Sequence, residues 1–235
     1  MPIGGPSAAI NSTNFADGSL SPDANVPRMA RLRTGIDALD RQLEGGLPGG
    51  SLVAFCAPPA SQSELLLYEL TSARDTLYLT TERTEDAVGD AFENARCPTG
   101  DPTIRYVAAD APLENARRLF RSLAGETNLI VDPVDPLERV DENRYRNFLN
   151  EMRNHMYNTG GVAVLHCLAS EFAPEMRVMT QHMADVVMEI NVEYNGADVD
   201  VRLAVPKFRG GVALNETIKL ELGDRVRVDT SRDIA

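Results

Sequence analysis

The side chains of this sequence best suited to chemistry stand at the ends of short apolar runs. Glu82 follows TLYLTT and Asp132 follows NLIV. Carboxylates at such places often cap the next helix or line a solvated crevice, so position alone gives neither a catalytic role. Glu85 and Asp86 read as charges at a helix N-terminus. His166 and Cys167 close the run VAVLHC, and Cys56 closes SLVAFC. Metal binding would need more convergent ligands than these, so a packed histidine and two buried thiols are expected. Cys56, Cys97 and Cys167 lie far apart without a CxxC pair, which supports neither a zinc ribbon nor a disulfide framework and fits a reducing cytoplasm. His155 and His182 fall in helical stretches, where surface or cap roles are expected. No G-x-S-x-G occurs, so no hydrolase nucleophile elbow is read.

Those residues must be positioned by an alternation of strands and helices. SLVAFC (51–56), TLYLTT (76–81), TIRYVA (103–108), NLIVD (128–132) and VAVLHC (162–167) read as strands. Helical stretches fall near 62–73, 84–95, 112–124 and 138–158, the last carrying Phe148, Leu149, Met152 and Met156 at core-packing spacing. Short apolar strands separated by helices imply a mostly parallel sheet covered on both faces, with ligands at the carboxyl ends of its strands. After about residue 186 the runs VVMEINVEY, VDVRLAVPKF, ETIKLEL and RVRV read as a β-meander that finishes the same sheet. Residues 1–30, rich in Gly, Ser, Pro, Asn and Asp, read as a flexible tail before a single domain over 31–235.

The segment TGIDALDRQLEGGLPGGSLVAFCAPPASQSELLLYEL, followed by LYLTTE, LIVDPVD, VAVLHCLASE and the K-x-R-G run at Lys207 to Gly210, resembles the RecA superfamily, specifically the archaeal KaiC-like and RadA-like ATPases. The resemblance spans roughly residues 31–228 and implies a three-layer α/β/α P-loop NTPase fold. It also implies roles. Glu82 takes the place of the glutamate that activates water, and Asp132 the Walker B place that holds a metal-bound water. Lys207 and Arg209 take the place of a pair that reaches the phosphates bound by a neighbouring subunit; a polar strand end before the RGG turn is the other reading. His166 and Cys167 would face Cys56 across the crevice.

The phosphate loop departs from that pattern. Where the family reads G-P-P-G-S-G-K-T, this chain has Ala57, Pro58, Pro59, Ala60, Ser61, Gln62, Ser63 and Glu64. Glycines let such a loop take positive φ and turn its N–H groups onto phosphate, and all three are gone. Ser63 stands for the lysine and Glu64 for the Mg²⁺-holding hydroxyl. Exchanging a cation for an anion at about 4 Å from phosphate costs several kcal/mol even at an effective dielectric of about 20. ATP and Mg²⁺ are therefore expected to serve only through residual or composite binding.

Acidic residues outnumber basic ones 35 to 23, a net charge of -12, which argues against a nucleic-acid partner. Only Lys207 and Lys219 are lysines among those 23 bases. An acid-rich, lysine-poor chain suggests adaptation to high salt, as in halophilic archaea; an acidic protein of a GC-rich genome is the alternative. No apolar run approaches the roughly 18 residues of a membrane span, and no signal-peptide pattern opens the chain, so a cytoplasmic protein is expected. The preferred reading is a non-catalytic KaiC-like homologue acting as a regulatory or signalling subunit, with an active KaiC-like or RadA-like paralogue or a second copy as partner. Two alternatives stay open: an ATPase subunit with a composite site completed in trans, and a RadA-like recombination mediator.

Overall fold

In the computed structural model, which describes Met1 and residues 30–196 and 198–229, each apolar run becomes a strand and each amphipathic stretch a helix. The expected tail lies outside the described residues apart from Met1 and Ala30. In chain order the elements are β1 (Arg31–Leu32), α1 (Asp37–Gln42), β2 (Leu47–Pro48), β3 (Ser51–Ala57), α2 (Glu64–Thr71), β4 (Thr76–Thr80), α3 (Glu85–Glu93), β5 (Thr103–Tyr106) and α4 (Pro112–Phe120). They continue with β6 (Asn128–Asp132), α5 (Asp135–Glu138), α6 (Glu142–Thr159), β7 (Val162–Leu168), α7 (Arg177–Met183), β8 (Val186–Asn195), β9 (Asp198–Phe208), β10 (Ile218–Leu222) and β11 (Val226–Val228).

A nine-stranded sheet runs in the order β11-β10-β9-β8-β3-β7-β6-β4-β5. From β8 to β5 every neighbouring pair is parallel, and β8 to β11 form the antiparallel meander. Every residue of β3 is buried, as a central strand covered on both faces requires. Side chains of β3 alternate between two cores: Val53 and Phe55 pack with Leu66 and Leu67 of α2 and the meander, while Leu52 and Ala54 pack with Phe148, Leu149 and Met152 of α6. This is the three-layer α/β/α architecture expected from the sequence.

Local chemistry explains the boundaries. The helix expected over 138–158 starts later, as α6 at Glu142: the short α5, with Pro136 in its first turn, ends at Glu138, and Asp141 caps α6 by accepting from the Asn143 and Arg144 amides. Gly160, at φ 74°, ends α6 in the left-handed conformation that favours glycine. Residues 107 and 108 leave β5, which is an exposed edge strand. His155 departs from the surface or cap role expected of it: its ring packs 5.8 Å from that of Phe120. Among the described residues no helix is long and apolar enough to cross a membrane.

Candidate functional site

Strands β3, β4, β6 and β7 deliver their carboxyl ends to one crevice, where ligands of open α/β sheets bind. The loop of residues 57–64 enters it from β3. Ala57 is buried as the last strand residue, Pro58 is half-buried, and Pro59 and Ala60 are exposed. Ser61 is buried and its hydroxyl donates to the Pro58 carbonyl at 2.6 Å, which tightens the turn. Gln62, where the family places a glycine, keeps φ at 51°. The loop thus holds a left-handed backbone at a residue other than glycine, at a cost of about 1 kcal/mol. Ser63 is buried at the head of α2, and Glu64 opens the helix.

Ser63 does not stand alone. Its Oγ lies 3.2 Å from Nε2 of His166, and His166 Nδ1 lies 2.6 Å from Oδ1 of Asp132. Period-two alternation puts Tyr78, Asp132 and His166 on the face that α2 covers. Phe55, in register with His166 on the neighbouring strand, stacks on the imidazole at 5.6 Å. The second carboxylate oxygen of Asp132 accepts from Arg83 at 2.8 Å and from the Tyr78 hydroxyl. Arg83 also reaches the Tyr68 hydroxyl at 3.4 Å. Burial works to raise the Asp132 pKa, but bonding to His166 and Tyr78 and the charge of Arg83 outweigh it and hold the carboxyl at about 2. Burial and the adjacent Asp132 carboxylate push the Tyr78 phenol well above its usual range, so it stays a donor.

The other expected site residues are placed apart from this cluster. Glu82 is exposed at the turn between β4 and α3, and its neighbour Arg83 turns toward Asp132. Lys207, in β9, donates to the Gln181 and His182 carbonyls at 2.9 and 2.7 Å. Arg209 donates to the His182 carbonyl at 3.2 Å and meets Asp185 at 3.3 Å. Both cations therefore serve the carboxyl end of α7 within the same chain, a place where helix carbonyls and dipole favour positive charge. Burial, then the proximity of Arg209, lowers the Lys207 pKa.

The cysteines correct one expectation. Cys56 and Cys167 are side by side in register on adjacent strands, under α7, with the Gln181 amide 3.4 Å from the Cys56 sulfur. His166 points to the opposite face, because successive residues of a strand alternate. The Cys167 contact, ahead of opposing burial, lowers the Cys56 pKa. Cys97 is buried elsewhere in the α2 and α3 core.

The donor set does not fit a magnesium nucleotide. Both Asp132 oxygens already accept from protein donors. The lysine place holds a serine bonded to His166, and the carboxylate of Glu64 follows it at the head of α2. Among the described residues no group of three or more His, Cys, Asp or Glu side chains is arranged to hold a metal. Tyr78 and Arg83 are members of this cluster that the sequence did not single out; Tyr78 sits two residues before the end of an apolar strand, where it reads as core.

Strand order and layering together define an α/β/α protein with a KaiC-like, RecA-type fold. A KaiC-like protein of the hyperthermophilic archaeon Pyrococcus horikoshii OT3 is similar in structure, with a TM-score of 0.69 over 85% of this chain and 99% of that one, at 16% identity. The chain itself belongs to the family described as "Family of unknown function (DUF7125)", whose sequence model matches residues 31–235. No curated protein matches the sequence.

Proposed function

We propose that this chain is a KaiC-like protein that does not turn over ATP and acts by association with a protein partner, as a regulatory or signalling subunit. One observation carries the reading: Ser63, which stands at the loop lysine's place in the sequence, is bonded through His166 to Asp132, and Asp132 also accepts from Arg83, so these side chains are committed to one another. A buried, mutually satisfied polar cluster is costly to open, because each group left without a partner loses about 1–3 kcal/mol. The anion at Glu64 adds repulsion toward phosphate. The fold remains, and with it the surfaces by which a domain of this class can meet another chain. Lys207 and Arg209, spent on α7, have little left to offer a neighbour's phosphates.

Calorimetric titration of the full chain with MgATP in molar KCl tests the reading, alongside phosphate release measured with and without an active KaiC-like ATPase. No heat of binding and no release by this chain alone are expected. Micromolar affinity with turnover would refute it.

A further inference from the structure

Ser63, His166 and Asp132 have a second property, which lies in the order of their contacts. The carboxylate of Asp132 is an acceptor only, so the proton between it and His166 resides on Nδ1. In the neutral ring, Nε2 then presents its lone pair to the Ser63 hydroxyl 3.2 Å away. A carboxylate thus orients an imidazole that can take a proton from a serine. The same roles recur on unrelated folds and are recognised by geometry, whatever the spacing in sequence. Ser63 sits at the head of an eight-residue helix, at the positive end of its dipole, where the Leu65 and Leu66 amides donate to the Gln62 and Ser63 carbonyls at 3.1 and 3.0 Å.

We propose that Ser63, His166 and Asp132 form a serine acyl-transfer centre that hydrolyses short, uncharged carboxylic esters. Ser63 Oγ attacks the ester carbonyl carbon and its proton passes to His166 Nε2. The tetrahedral adduct collapses, the ester C–O bond breaks, and the alcohol leaves with that proton. Water, deprotonated by Nε2, then attacks the acyl-serine; the acid departs and the hydroxyl is restored. The balance is ester plus water to acid plus alcohol, with no redox partner. Asp132 is the positioning residue. Substrate class follows from the surroundings: Ser63 is 2% exposed and His166 5%, which limits the acyl group to a few atoms, and Glu64 beside the nucleophile disfavours an anion. Pro59, Ala60 and Gln62 of the loop are exposed, so a substrate would reach Ser63 by displacing this loop. This activity goes beyond the lack of ATP turnover and does not depend on any partner.

The full-length chain in molar KCl is treated with a small fluorophosphonate, its adduct is located by peptide mass mapping, and hydrolysis of p-nitrophenyl acetate is followed in parallel. A single adduct on Ser63 is expected, absent in Ser63→Ala, with ester hydrolysis lost in the same variant. His166→Gln lowers the maximal inactivation rate about a hundredfold or more. Asp132→Asn lowers that rate while leaving the probe's half-saturation unchanged, a separation that simple loosening of the fold would not produce; thermal melts accompany each variant. An adduct at another residue, a labelling rate no higher than that of the urea-unfolded chain, or undiminished ester hydrolysis in Ser63→Ala overturns the proposal. Ser63→Ala removes one oxygen, so the decisive comparison survives even if the two strand-end variants fail to fold.

Discussion

Replacing Asp132 by asparagine removes the one anion that His166, Arg83 and Tyr78 share, and the effect should depend on pH in a calculable way. The carboxyl is lowered from 3.8 to about 2 in the folded protein. At about 1.4 kcal/mol per tenfold change in proton affinity, this corresponds to about 2.5 kcal/mol of stability. The sign follows from the depression: the contribution is complete above the unfolded value of 3.8 and is lost as pH falls through about 2. Urea unfolding of wild type and Asp132→Asn, measured at intervals between pH 6 and pH 2 in constant KCl, isolates the term, since the other carboxylates titrate alike in both proteins. Wild type should exceed the variant at pH 6, and the gap should shrink by about 2 kcal/mol by pH 2. A gap that does not change with pH would refute the electrostatic account of the cluster.

Two further outcomes follow from the loop and the strand end. Gln62→Gly relieves a left-handed backbone and should raise stability by up to about 1 kcal/mol, read from urea midpoints, if the native φ outweighs the added freedom of the unfolded chain. Lys207→Met removes the ammonium that caps α7 and should cost about 1–2 kcal/mol, with faster amide exchange in residues 177–183 and little change in β3.

Much of the fold was legible because strand runs and helix stripes are local signals. SLVAFC and VAVLHC are apolar apart from Ser51 and His166, and a run buried on both faces has few alternatives to a central parallel strand. The later start of α6, beyond the short α5, was missed, although Pro136 and Asp141 carry recognised boundary chemistry. The site was legible only in part. The absence of glycine and lysine from residues 57–64 is visible in the sequence, but no G-x-S-x-G surrounds Ser63, whose partner is 103 residues away. Arg83 was hidden by Glu82, the more suggestive neighbour, because a loop residue's direction is set by what it can reach.

By itself the sequence determined the succession of strands and helices, the acidic composition and the absence of glycine and lysine from residues 57–64, since each is read along the chain. Which side chains meet was decided only by the tertiary structure. The parallel crossovers bring β6 and β7 side by side, alternation turns Asp132 and His166 to one face, and the left-handed turn at Gln62 leads into Ser63 at the head of α2. Three residues far apart in sequence become a bonded series because the sheet fixes their spacing to within a hydrogen bond, which no local preference encodes.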